Sequence, residues 1–258
     1  MRMLATMVAI ACLLFIAGPR VSAQTGKRDK QLAKCETADY ECMRVKRRQS
    51  WQSLFPDERE RDIVMRINHT NQSLYAGKLI KVPHHLETAS LLDFAPLPHH
   101  IDDNGEKTII FDPKVYAWGA YDDNGDLIRW GPASGGSDWC RDIERACHTK
   151  PGSFRIYSMG SSNCISSKFP VPDGGAPMPY CMFFHGGQAL HGSPGEVVNG
   201  NVSHGCVRLF VQDAEWLRYD FVDPPSSLNN NQGTKVIVLP YHHRDEDDDN
   251  DDTNNNDE

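Results

Sequence analysis

The sequence predicts a mostly β protein, a sandwich or barrel with one short helix over residues 105–241, preceded by a small α/β unit over residues 43–84. Three observations predict it. After residue 105, short runs rich in β-branched and aromatic residues recur with turn signals between them. Within them, Asp213 opens a helical stretch that runs through Trp216 and Leu217 to Tyr219. Upstream, residues 43–84 combine helical spacing at Ile63, Val64 and Ile67 with one short strand, Leu79 to Val82.

In chain order, Arg2 supplies a positive start, residues 3–17 are almost wholly apolar, and Gly18-Pro19 ends the run. Val21-Ser22-Ala23 reads as a cleavage site before Gln24, so residues 1–23 are expected to be a signal peptide and the protein to be exported to the periplasm or cell envelope. The apolar run is shorter than the roughly 20 residues a permanent span needs; an uncleaved anchor is the alternative. Cys12 follows Ala9 by three and the apolar run continues past it, so it is expected to leave with the signal.

Residues 24–42 are polar and read as a loose arm. In the 43–84 unit, Trp51, Leu54 and Phe55 form an apolar cluster, Pro56-Asp57 opens a helix, and Asn68 to Gly77 is turn-rich. Residues 85–104 read as a linker; the pairs His84-His85 and His99-His100 show no regular metal-ligand pattern. Then Thr108 to Phe111 and Val115 to Tyr121 are β-prone, Asp122-Asp123-Asn124-Gly125 is a hairpin turn, and Leu127 to Trp130 returns antiparallel. Ser153 to Tyr157, Cys181 to Phe184, Gln188 to Leu190 and Lys235 to Leu239 are further strands. Residues 242–258 lack apolar groups and read as a disordered acidic tail.

The net charge of −8 is a property of that tail, since residues 245–258 hold nine acidic and no basic groups. The remainder is near neutral, which excludes the basic footprint of a nucleic-acid binder. After signal removal seven cysteines remain, an odd number that leaves one thiol over. Cys35 with Cys42 and Cys140 with Cys147 share a six-residue spacer, and Cys164 with Cys181 flank a Pro/Gly-rich loop. Local pairing would leave Cys206 free, although six cysteines allow about 15 pairings. The usual zinc spacings are missing, as is Ser-x-x-Lys.

The chemistry concentrates between Ala189 and Leu209, where His191-Gly192 is followed fifteen residues after His191 by Cys206, within Ser203-His204-Gly205-Cys206-Val207-Arg208. A thiol needs a base or an electropositive setting to become a thiolate near neutral pH, and two histidines lie close by. Gly200 and Gly205 permit the tight backbone that a nucleophile loop requires.

His191, Gly192, Gly200, Ser203, His204, Gly205, Cys206 and Arg208, in that order, resemble the catalytic motif of the L,D-transpeptidase family. Thr149-Lys150-Pro151-Gly152-Ser153-Phe154 resembles its Thr-Pro-x-Gly-x-Phe strand entry, with Lys150 shifting the proline by one place. Upstream, Arg66-Ile67-Asn68 with Leu74, Gly77, Leu79, Ile80, Val82 and Pro83 resembles the second half of a LysM module, whose opening is degenerate here. That resemblance implies binding to glycan strands; a small packing unit is the alternative.

The family resemblance implies an L,D-transpeptidase-type β-sandwich or barrel and an enzyme that cross-links peptidoglycan. Cys206 is implied as nucleophile and His191 as base, with His204, Ser203 and Gly205 supporting. Gly205 and Cys206 N–H groups are the oxyanion candidates, and Gly192 and Arg208 the substrate contacts. Arg208 has a structural ion pair as its alternative, and Ser203 suits orienting a histidine or capping a turn. His185, Trp139 and Tyr180 are candidates for either cleft or core. The implied partners are tetrapeptide stems, as donor and acceptor. No metal or other cofactor is implied. Rival readings are an L,D-carboxypeptidase or endopeptidase using the same thioester, and a non-catalytic wall-binding protein. Papain-like enzymes place Cys before His, the reverse of the order here. The loop from Phe169 to Pro179 is expected to govern access.

Overall fold

A computed structural model describes residue 35 and residues 37–102, 105–195 and 197–241; the expected signal peptide, most of the expected arm and the expected acidic tail lie outside the described residues. Four short elements form the N-terminal unit: β1 (Tyr40–Arg44), α1 (Trp51–Leu54), α2 (Glu58–Ile67) and β2 (Leu79–Pro83). β1 pairs antiparallel with β2, so the order is βααβ. The helices start where the sequence supplies caps. Ser50 and Ser53 form a reciprocal capping box, and the Asp57 side chain accepts the Glu60 N–H. Trp51, Phe55, Ile63, Val64, Ile80 and Val82 make the core. The arm expected over 24–42 is shorter than read: β1 begins at Tyr40, and Cys42 within it is disulfide-bonded to Cys35.

Nine strands make the main sheet, in the order β6-β11-β3-β4-β5-β10-β9-β8-β7. They are β3 (Thr108–Asp112), β4 (Ala117–Tyr121), β5 (Leu127–Ser134), β6 (Gly152–Arg155), β7 (Ser158–Met159), β8 (Met182–His185), β9 (Gln188–Gly192), β10 (Val207–Leu209) and β11 (Lys235–Val238). β6 and β7, the opposite edges, are joined by only Ile156 and Tyr157. Ile156 donates its N–H to Thr234 O beside β11, and Tyr157 donates to Phe183 O in β8. The sheet therefore curls until one bent segment serves both ends, which is the mostly β, barrel-like architecture expected.

Alternation along the strands divides the apolar residues between two faces. Ile109, Phe111, Trp118, Leu190, Val207 and Leu209 fill the inner core with Leu217 and Phe221. Ile110, Ala117, Tyr121, Leu127 and Trp130 point the other way and are also buried, because residues 91–101 cover them. Trp130 Nε1 donates to Leu91 O at 2.7 Å and the Tyr121 hydroxyl to Pro98 O at 2.9 Å. The stretch read as a linker is thus a packed covering layer whose apolar Leu91, Phe94 and Leu97 do the covering.

The helix also departs from expectation. α3 spans Val211–Trp216 and continues as a π turn, Leu217–Phe221, while Phe210 occupies the cap position. Asp213, expected as the cap, lies inside the helix, with its wholly buried carboxylate gripping Arg66 of α2. Arg66 Nη1 and Nη2 each reach it at 2.7 Å. Arg66 also donates to Trp130 O, and Arg129 Nη2 reaches Asp213 at 3.0 Å. Gly131 leaves room for this cluster, since an added Cβ would stand within 2.6 Å of both charged groups. The N-terminal unit is pinned to α3 by a bidentate ion pair and to β5 through Trp130 O.

Candidate active site

β9 and β10 run parallel, with Arg208 opposite His191 and Val207 opposite Leu190. Residues two apart along extended backbone share a face, so Cys206, Arg208 and His191 project to the same side of the sheet. All three line one cleft of about 320 Å³, with Ser193, Pro194, Gly195, Ser203, His204 and the residues of the access loop. A smaller cavity of about 240 Å³ also has Cys206 in its wall, with Arg145, Lys168, Phe183 and Gly186 to Gln188. Ser166, Phe169, Met178, His204 and Cys206 border both cavities.

His191 is 5% exposed, and its Nδ1 lies 2.8 Å from Gly192 O. A carbonyl can only accept, so Nδ1 carries the proton and Nε2 keeps a free lone pair. Burial brings the imidazole pKa down to about 4, and the Arg208 charge works in the same direction. Burial likewise pushes the partly buried Cys206 thiol up, against a backbone hydrogen bond from Ala189 and the Arg208 charge. Both shifts favour the neutral form, so the cleft is lined by a thiol, which donates to Gly187 O at 3.9 Å, and an unprotonated imidazole.

Ser203 shapes the turn before the nucleophile. Its Oγ accepts the Gly205 N–H at 3.0 Å and donates to Cys206 O. Gly205 has φ +115°, a conformation that strains any side chain, and a Cβ there would come within 2.7 Å of Gln188 Nε2 and push that amide aside. Because Ser203 takes that N–H, Gly205 drops out of the expected pair of oxyanion donors. His204 Nε2 sits 2.8 Å from Asp142 Oδ2, and its ring stacks on Phe169 at 4.3 Å. The hydrogen bond to His204 is the main cause holding the Asp142 carboxyl below its ordinary value.

Arg208 is half-buried and makes no ion pair among the described residues, so the structural alternative finds no partner there. Gly192 stands behind the cleft, packed on the Val211 backbone and Pro179; its carbonyl holds His191. His185, Trp139 and Tyr180 do not line either cavity. Trp139 is exposed, His185 packs on Phe154, and the Tyr180 hydroxyl bonds Glu215 at 2.7 Å.

The access loop forms a roof, with Ser166 N donating to Ala176 O and Ala176 N to Phe169 O. The Cys164–Cys181 disulfide closes its base. Cys140–Cys147 forms the third bridge beside Cys35–Cys42, leaving Cys206 as the free cysteine among the described residues. Cys140, Cys147 and His204 are near enough to suit a metal, but both sulfurs are committed to the disulfide. Sequence reasoning missed Asp142, whose only signal is its acidity within a cysteine-closed loop, and Gln188. The Gln188 side chain accepts the Lys150 N–H and donates to His148 O.

These features define a cysteine–histidine site on a curled β-sheet. The L,D-transpeptidase catalytic domain model, YkuD, matches residues 106–238, a little over half of the chain, and the chain belongs to that family. Among solved structures, the chain is similar to an L,D-transpeptidase from Xylanimonas cellulosilytica at 24% identity and TM-score 0.45, over 64% of this chain and 74% of that one. An L,D-transpeptidase from Stackebrandtia nassauensis is 22% identical, TM-score 0.42, over 55% and 61%. One from Mycobacterium smegmatis is 20% identical, TM-score 0.40, over 52% and 59%. No curated protein matches the chain. Among the described residues, no helix is long and apolar enough to cross a membrane.

Proposed function

We propose that this protein is an exported peptidoglycan L,D-transpeptidase that works through a thioester on Cys206. The observation that carries the reading is the placement of Cys206, His191 and Arg208 on one face of adjacent parallel strands, with Cys206 lining two cavities. Two cavities suit a reaction with two substrates. The donor is a tetrapeptide stem ending in D-Ala, and the acceptor is the amine of a second stem.

His191 Nε2 accepts the Cys206 proton as the sulfur attacks the carbonyl preceding D-Ala. Because both groups are neutral at rest, transfer accompanies attack instead of preceding it. The C–N bond breaks, the leaving D-Ala nitrogen takes the proton from His191, and a thioester remains. The acceptor amine then attacks the thioester, gives its proton to His191 and expels the Cys206 thiolate, which is reprotonated. The Cys206 N–H is the backbone donor proposed for the oxyanion. Arg208 holds a substrate carboxylate, and the Asp142–His204 pair fixes the ring that borders both cavities. The N-terminal unit is proposed to contact glycan strands.

The test is incubation of the purified protein with disaccharide-tetrapeptide, beside Cys206→Ala, following D-Ala and product masses. Cross-linked dimers made by the unmodified protein alone are expected. Tripeptide without dimers would assign hydrolysis instead, and a full-length Cys206→Ala variant as active as its parent would remove the thioester.

A further inference from the structure

We infer that Asn71, in the N-terminal unit, is a positioning residue for the substrate cleft, holding the segment that connects the His191 strand to the Cys206 strand. The inference deepens the proposed function and rests on it for the identity of the substrate.

Asn71 lies in the loop between α2 and β2, outside the catalytic sheet. Its Nδ2 donates to Gly195 O at 3.0 Å, and its Oδ1 accepts the Val197 N–H at 3.2 Å. One planar amide thus reads the carbonyl of one residue and the N–H of the residue two further on, the pattern a neighbouring strand would present. Only a side chain with a donor and an acceptor side by side can do this; aspartate lacks the donor and alanine both.

The segment gripped in this way is cleft wall. Ser193, Pro194 and Gly195 line the cavity that holds Cys206 and His191. Ser193, two residues past His191, donates its N–H to Leu209 O, and Val197 is wholly buried. Gly195 lies between these two anchors with nothing closer to an added Cβ than Ser193 Oγ at 3.9 Å. Among the described residues, the Asn71 amide holds its carbonyl.

Asn71 is itself well placed to act as a clamp. Its neighbour Gln72 reaches Asn71 Oδ1 through Nε2 and accepts the Trp51 indole N–H at 2.7 Å. Five residues earlier, Arg66 is locked to Asp213 in α3, the helix that follows the Cys206 strand. The N-terminal unit therefore holds two segments next to the catalytic strands, the one after β9 and the helix after β10. It is an outer wall of the active site as well as a neighbour to it.

The test uses the full chain carrying Asn71→Ala or Asn71→Asp. Amide hydrogen exchange at Val197 is expected to quicken by roughly tenfold in Asn71→Ala, as loss of one or two hydrogen bonds implies, with β9 and β10 unchanged. KM for disaccharide-tetrapeptide should rise by about the same factor with kcat within about twofold, and Asn71→Asp, which keeps the acceptor, should fall between. Unchanged exchange at Val197 would overturn the inference. So would faster exchange with an unchanged KM, or a fall in kcat with faster exchange throughout the chain, which marks general destabilisation. If the unmodified protein releases no D-Ala, the proposed substrate is wrong, and exchange at Val197 alone then decides whether Asn71 holds the wall.

Discussion

At Cys206 and His191 the same burial acts on two groups of opposite charge type, and in both it favours the neutral form. The thiol pKa is raised, so the thiolate fraction at neutral pH is small and grows as pH rises. The rate of Cys206 alkylation by iodoacetamide is therefore expected to climb through a midpoint above that of an ordinary cysteine, about 8.5. A plateau already reached at pH 7 would mean a resting thiolate–imidazolium pair. His191 makes a second prediction. Its folded pKa of about 4 lies below the unfolded value, so between those two values the unfolded chain binds more protons and stability falls as pH falls. His191→Gln should lose that part of the acid sensitivity, on the order of 3 kcal/mol by pH 4, seen as a flatter dependence of urea midpoint on pH. An unchanged dependence would show that His191 is not neutralised by burial.

Among the elements, the contact between α2 and α3 concentrates most in one side chain. Arg66→Met leaves the Asp213 carboxylate buried with only Arg129 beside it, and is expected to cost about 3–5 kcal/mol in denaturant unfolding. Asp213→Leu added to it should recover much of the loss, because the wholly buried carboxylate is gone and the partner that loses it, Arg129, is partly exposed. A double variant worse than Arg66→Met would mean that the pair itself, and not the orphaned charge, dominates. This contact also shows where sequence reading stopped. The helical pattern around Ile63 and Ile67 and the helix near Trp216 were both legible from local spacing, but the meeting of residues 66 and 213 is a long-range event that no local period encodes. Asp213 looked like a cap because capping is the commonest local use of aspartate before an apolar run. The strands β3, β4, β8, β9 and β11 were legible within a residue or two, whereas β10 was not. Its three residues lie inside the catalytic motif and are held by β5 and β9 on either side. At the site, the Cys206, His191 and Arg208 grouping was readable because it lies within 18 consecutive residues. Asp142 and Asn71 reach it from distant loops and carry no local mark.

On the scale of the whole molecule, the parts are more continuous than composition implies. Residues 91–101 complete the outer face of the sheet, Arg66 completes the charge balance of α3, and Asn71 braces the cleft. A protein trimmed to residues 105–241 would expose Ile110, Tyr121 and Trp130 and leave Asp213 without Arg66. It is expected to unfold at far lower temperature than the full chain, or not to fold, when followed by circular dichroism. A trimmed domain that melts within a few degrees of the full chain would show these contacts to be dispensable.

The segment from Gly152 to Met159 supplies both edge strands of the sheet, β6 paired with β11 and β7 with β8, so the same eight residues carry both outer edges. An open edge is a template on which a second chain can add itself, by the same ladder that builds amyloid and swapped oligomers. Both edges here are short, four residues in β6 and two in β7, and so brief an edge offers little template. Self-association through strand addition is thus opposed by the brevity of the two edges.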